Sequence, residues 1–91
     1  MSRYAWEDRK ARDNVAKHGV SLEEAETVLD SDMARWFPDV AHSRYEDRFL
    51  AIGPSKLGRL LVVVTSEGGL RPRIISAWRA TKRERREYER G

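Results

Sequence analysis

The chain has 91 residues, with 18 Lys and Arg against 15 Asp and Glu for a net charge of +3, 40% hydrophobic and 36% charged residues, and no cysteine. That length holds a single small domain, expected over residues 1–91, and the lack of cysteine excludes disulfides, thiolate metal sites and a cysteine nucleophile. The longest apolar run, residues 60–64, is far short of the about 20 residues of a membrane helix, and the opening residues carry no apolar stretch of a secretory signal, so a cytoplasmic protein without membrane attachment is expected.

In chain order, residues 3–6 suggest a short strand. Residues 7–18 predict a helix, with Ala11 and Val15 at i, i+4 spacing and Asp8 in its first turn; Gly19 is placed to end it in the left-handed conformation. Ser21 and Glu24 have the spacing of a reciprocal capping box, which starts a second helix to about Leu29 with Leu22, Ala25, Val28 and Leu29 on one stripe. Asp30, Ser31 and Asp32 stop it. The period then changes to that of strands. Residues 34–37, 45–52, 59–66 and 71–78 are expected as strands, separated by Pro38-Asp39, Gly53-Pro54-Ser55 and Gly68-Gly69. The run at 59–66 is nearly all apolar, as in a strand covered on both faces. Thr81 and Glu84 form a second capping box, opening a last helix through Tyr88. The order predicts an α+β fold: one antiparallel sheet of about four strands, two N-terminal helices and one C-terminal helix.

Charge is loaded at one end. Residues 71–91 hold eight Lys and Arg against three Asp and Glu, whereas residues 1–70 hold ten against twelve. Such a patch attracts a polyanion or an acidic partner, or forms a solvated helix whose glutamates alternate with its basic residues. Neither histidine belongs to an HxxH or HExxH pattern, so no metal site is expected. His18, before the glycine at a helix end, suits a structural capping role, its cation favouring the negative end of the helix dipole. His42, in a polar loop, either orders the turn or transfers protons near neutral pH. Glu46 and Arg48 are two apart on a strand and share a face with Leu50 and Ile52, as a structural ion pair or as part of a site. On the last strand, strict alternation puts Arg73, Ile75, Ala77 and Arg79 on one face, and Ile74, Ser76 and Trp78 on the other. Arg79 precedes a helix N-terminus and suits a two-pronged phosphate contact; Trp78 is either core or a base-stacking ring. In Trp36-Phe37 one ring faces outward if the strand is regular, a candidate partner surface. No Walker loop, GxGxxG, GxSxG or paired acidic metal box occurs. RNA cleavage without a metal remains chemically accessible, because RNA carries its own nucleophile, the 2′-hydroxyl, and Arg, Glu and His suffice to hold the phosphate and move protons.

Three blocks, Trp6-Glu-Asp-Arg-Lys through Asn14-Val-Ala-Lys-His-Gly-Val-Ser-Leu-Glu-Glu-Ala25, Asp39-Val-Ala-His-Ser-Arg-Tyr-Glu-Asp-Arg48, and Arg73-Ile-Ile-Ser-Ala through Glu89, resemble the BrnT family in order and spacing. The resemblance covers nearly the whole chain. It implies a RelE-like fold and a toxin of a type II toxin–antitoxin module. Such a toxin cleaves RNA, inhibits translation and is neutralised by BrnA, a ribbon-helix-helix antitoxin through which alone it meets operator DNA. Residue by residue, Glu46 and Arg48 match the family's E-x-R element, and Asp39 and His42 its D-x-x-H element. The family's last-strand motif usually ends in arginine where this chain has Trp78, with Arg79 following. A further arginine, frequent near the turn before that strand, is replaced by Ser66-Glu67-Gly68. The resemblance therefore implies an endoribonuclease in which Arg48 and Arg79 hold the phosphate, Glu46 or His42 moves protons, Lys82, Arg83, Lys17 and Arg73 bind the RNA, and no cofactor is needed. A competing expectation, set by Trp78, is a catalytically weakened homologue that serves as antitoxin partner and corepressor. A plain nucleic-acid binder using the C-terminal basic residues is a third.

Overall fold

The computed structural model describes residues 3–39 and 47–91. Their elements run α1 (Asp8–His18), α2 (Leu22–Leu29), β1 (Arg35–Pro38), β2 (Arg48–Pro54), β3 (Leu60–Ser66), β4 (Arg73–Arg79) and α3 (Lys82–Arg90). The four strands form one sheet in the order β1-β2-β3-β4, with every neighbouring pair antiparallel. This is the α+β arrangement of three helices on an antiparallel sheet that the periodicities predict. The stretch at 3–6 forms only a parallel bridge from Ala5 to Arg73, not a strand.

One sheet face, with Ala51, Leu61, Val63, Ile74 and Ala77, packs against Val20, Leu22, Ala25, Val28 and Leu29 to make the core. Burying a Leu, Val or Ile side chain contributes about 1.5–3 kcal/mol, so this cluster is the main source of stability. Leu61 through Ser66 are all buried, as expected of a strand covered on both sides. The opposite face is partly covered by α3, whose Glu84 and Glu87 lie over Phe37, Leu50 and Ile52. No helix among the described residues is long and apolar enough to cross a membrane.

Two glycines are required by geometry. Gly19 ends α1 at φ 67°, with its N–H donating to the Val15 carbonyl at 2.9 Å. Gly53 lies against the chain entering β1; a Cβ there would stand 2.9 Å from the Ala34 Cα, closer than packing allows.

The inner residue of α1 is Asn14 rather than Val15, which is half exposed. Its amide Nδ2 donates to the carbonyls of Val20 at 2.8 Å and Ala77 at 2.9 Å, and its Oδ1 accepts from the Ala77 N–H at 3.0 Å. The side chain thus completes the outer edge of β4 as a neighbouring strand would. Lower on the same edge, the Ala5 N–H donates to Pro72 and the Ala5 carbonyl accepts from Ile74.

The Ser21 hydroxyl accepts from the Glu24 N–H at 3.0 Å. The return half of the expected box is not made. Instead the buried Glu24 carboxylate accepts from the Arg59 guanidinium, through Nε at 2.9 Å and through Nη2, and from the Ser55 hydroxyl at 2.7 Å. Arg59 Nη2 also donates to the Gly19 carbonyl at 3.1 Å. These charge-assisted bonds offset the cost of burying the carboxylate, which clamps α2 to the β2–β3 hairpin. The Thr81–Glu84 box is complete in both directions.

Both polar contacts are open to test. Asn14→Ala leaves the Ala77 N–H and C=O buried without partners and lowers stability by about 3 kcal/mol in urea unfolding; a loss below about 0.5 kcal/mol would remove Asn14 from this role. The Arg59 hydrogen bonds hold the Glu24 carboxyl below its ordinary value of 4.5, against the opposing effect of burial. A depressed folded-state value means that the stabilisation is complete above about pH 4.5 and is lost as pH falls through the folded-state value. Glu24→Gln therefore lowers the urea midpoint at neutral pH and flattens the acid limb below about pH 4.5; an acid limb identical to wild type would contradict the assignment.

Candidate functional site

The sheet face opposite the core carries a hollow of about 350 Å³, lined by the polar Asp39, Arg48 and Ser76 and the apolar Leu50, Val64, Ile75 and Trp78. Its volume falls within the roughly 300–1,000 Å³ of small-ligand sites. β2 supplies Arg48 and Leu50, β3 the floor at Val64, and β4 the wall. The Asp39 N–H donates to the Arg48 carbonyl at 2.9 Å and brings the chain leaving β1 to the hollow's rim.

The register of β3 and β4 decides which β4 side chains look into this face. Val63 faces Ala77 and Val64 faces Ser76, but Thr65 faces Ile74 and Ser66 faces Arg73, so Ile75 is one residue too many. This bulge breaks the strict alternation predicted for the last strand. Arg73 falls on the face of Ser76 and Trp78, while Ile74 joins Ala77 and Arg79 on the core face. Arg48 is opposite Ser66 on β2, and Arg73 is opposite Ser66 on β4. Arg48, the buried Ser66 and Arg73 therefore form one cross-strand row. At about 4.8 Å per strand, the two arginine backbones are roughly 10 Å apart, within reach of one phosphate. The Nε atoms of both guanidinium groups are shielded from solvent.

Trp78 stands half-buried at the end of the hollow. Its indole Nε1 donates to both carboxylate oxygens of Glu84, at 3.1 and 3.3 Å, and the same carboxylate accepts from the Thr81 N–H at 2.9 Å. One residue thus caps α3 and fixes the ring. The His18 ring lies 6.1 Å from it, centroid to centroid, tilted by 48°.

The sequence-predicted residues fall into three groups. Arg48 lines the hollow, and Arg73 stands beside it on the same row. Arg79 does not join them: it is paired with Leu61 on the other face and exposed, with its charge acting on Glu24. The expectation that it shares a phosphate with Arg48 is corrected by the register, which puts Arg79 with Ala77 on the core face; the bulge moves Arg73, not Arg79, to the face of Arg48. Lys17 is on α1, and Lys82 and Arg83 are exposed in the first turn of α3. Glu46 and His42 lie outside the described residues. Lys10 and His18, not predicted as site residues, flank the same strand through α1; their helical spacing with Lys17 is the signal in the sequence that points to them. Among the described residues no group of three or more His, Asp or Glu is arranged to hold a metal ion. Trp36, 44% exposed, and Met33, 63% exposed, leave an apolar surface at the β1 edge, while Phe37 turns inward beneath α3.

A family model described as "Ribonuclease toxin, BrnT, of type II toxin-antitoxin system" matches residues 6–84. Among solved structures, the 1.1 Å crystal structure of the Brucella abortus ribonuclease toxin, BrnT, is similar over 90% of this chain and 100% of that chain, with 25% identical residues and a TM-score of 0.67. No curated protein sequence matches.

Proposed function

The chain belongs to the BrnT family of ribonuclease toxins of type II toxin–antitoxin systems, and from that premise we propose that it is a metal-independent endoribonuclease that acts by 2′-hydroxyl attack and thereby inhibits translation. The row of Arg48, Ser66 and Arg73 beside the hollow carries this reading. Two planar guanidinium groups carried on one face by the strands on either side of β3 suit an anionic phosphorane, whose charge grows as the bond to the attacking oxygen forms. Proton transfer falls to Glu46, two residues from Arg48 in the chain, and His42. One of them takes the proton of the 2′-hydroxyl as its oxygen attacks the adjacent phosphorus, and the other gives a proton to the departing 5′ oxygen. The products are a 2′,3′-cyclic phosphate and a 5′-hydroxyl. Arg73 takes the phosphate-holding part expected of Arg79. Lys17, Lys82 and Arg83 steer the strand.

A second reading is favoured by one observation. Where the family usually has arginine, this chain has Trp78, whose only side-chain donor is engaged by Glu84. A binding module that keeps the antitoxin and has lost cleavage would show such an exchange. Purified protein incubated with RNA separates the two. The nuclease reading expects cleavage by wild type, 2′,3′-cyclic ends, and a loss of about 10²- to 10³-fold in rate for Arg48→Ala and Arg73→Ala. Equal rates for wild type and Arg48→Ala would refute the site. Cleavage by Trp78→Arg alone would establish the weakened homologue.

The partner in this reading is a BrnA-type ribbon-helix-helix antitoxin, which also carries the pair to operator DNA. The exposed Trp36 and Met33, beside the outer edge of β1, are its contact. Large aromatic side chains dominate such interfaces, and losing one costs about 2 kcal/mol or more, which is roughly 30-fold in affinity. Trp36→Ala is expected to weaken the complex by that factor in calorimetric titration; unchanged affinity would move the contact elsewhere.

A further inference from the structure

The hollow that holds Arg48 adjoins another one beyond β4. This second hollow, of about 260 Å³, is lined by Lys10, Asp13, Lys17 and His18 of α1 and by Ile75 and Ser76 of β4. Ile75 and Ser76 line both, so the two spaces meet across the bulged strand. Lys17 and His18 lie seven and eight residues beyond Lys10, which is two helical turns, and all three therefore share one side of α1. Asn14 holds that side against β4. At the join stand two rings: Trp78 lines the first hollow, His18 lines the second, and their centroids are 6.1 Å apart.

Each feature matches one part of a nucleotide. Two ammonium groups about 10 Å apart along the helix suit the phosphates of a flexible strand. An imidazole and an indole offer faces on which an unpaired base stacks, an interaction that any base can make. Asp13, one turn from each lysine, accepts hydrogen bonds from base or ribose donors and repels a phosphate from the space between the lysines. We infer that the second hollow is an RNA subsite that holds the nucleotide next to the cut, with its phosphate on Lys10 and Lys17 and its base against His18 and Trp78. This rests on the ribonuclease reading for its substrate and narrows it to single-stranded RNA of at least two nucleotides, because a base paired in a duplex does not present its face to the rings.

Binding of an uncleavable RNA tests the subsite apart from catalysis. The probe is a fluorescein-labelled single-stranded oligoribonucleotide carrying 2′-O-methyl groups throughout, read by anisotropy. Wild type is compared with the double variant Lys10→Ala, Lys17→Ala, and with a charge-matched control, Arg12→Ala, Lys56→Ala. Arg12 is on the opposite side of α1, and Lys56 is in the β2–β3 turn. The lysine variant is expected to bind about tenfold or more weakly, with the slope of log Kd on log salt reduced by about 1.4, or roughly 0.7 for each lost phosphate contact. The control is expected to stay within about twofold of wild type. The duplexed probe should lose the difference between wild type and the lysine variant. Equal weakening of both double variants shows bulk charge rather than a subsite and overturns the inference, as does wild type that binds no RNA. Binding that depends on Lys10 and Lys17 in a protein that cleaves nothing leaves the subsite standing and removes the nuclease reading. Cleavage that depends on Arg48, with kcat/KM and probe Kd unchanged by the lysine pair, removes the subsite alone.

Discussion

The outer edge of β4 would expose a line of backbone donors and acceptors, and the fold depends on how that line is closed. No fifth strand is present among the described residues to do it. Ala5 satisfies the beginning of the edge, and the side-chain amide of Asn14 satisfies Ala77, a residue 63 positions away. An amide is the right group because it presents one donor side and one acceptor side, the pattern a strand residue offers to its neighbour. The same amide also takes the Val20 carbonyl beyond the end of α1, so helix, turn and strand meet at one side chain. The geometry that results shapes the surface as well as stabilising the fold. Because α1 meets the sheet at its edge through a polar residue, its flanking lysines and His18 are held beside the strand instead of being turned away from it. A strand in that place would have filled the second hollow.

The bulge at Ile75 sets the other half of the geometry. A regular β4 would have put Arg73 on the core-side face of the sheet, where burying a cation would be costly. One additional residue lets Arg73 and Ile74 exchange faces, so the arginine rises toward Arg48 while the isoleucine enters the core at 1% exposure. Ser66, fully buried between the two arginines, fixes the spacing of the row. Bulges are frequent next to functional sites for this reason: they re-aim side chains without changing the strand order. The floor at Val62 through Thr65 is packed on both faces, which gives the row a rigid base.

Most of the fold is legible in the sequence because it rests on local chemistry. Gly19 ends a helix, Ser21 and Thr81 start helices, and an unbroken apolar run makes a central strand. The exceptions share a cause. Periodicity puts Val15 inside and passes over Asn14, because it registers apolar residues and cannot see a polar one that completes a strand edge. The spacing of Ser21 and Glu24 assigns the carboxylate to its own helix; Arg59, 35 positions later, takes it instead, and no local pattern contains that partner. Arg73 stands on the candidate-site face because of a bulge that depends on pairing with β3, and Arg79 does not because the register puts it with Ala77 on the core face; alternation within β4 gives no sign of the bulge or of which face is the core. For the site, the residue types and the blocks that contain them are legible. The faces they occupy are not.

Trp78 and the first turn of α3 bear on the charge that an RNA would meet. Lys82 and Arg83 are exposed at a helix N-terminus, where the dipole disfavours cations by about 0.3–1 kcal/mol each. Glu84 offsets this as the cap, and its carboxylate oxygens are occupied by the Thr81 N–H and the Trp78 indole. An arginine at 78 would bring a cation to that carboxylate and form a pair; the indole instead holds the carboxylate in place and adds no charge. The positive charge on this side is therefore carried by the row on the sheet, by α1 at one end and by Lys82 and Arg83 at the other, with aromatic surface in between. Lys82 and Arg83 thus stand against the dipole preference of their helix, a placement that suits the RNA contact of the proposed reading.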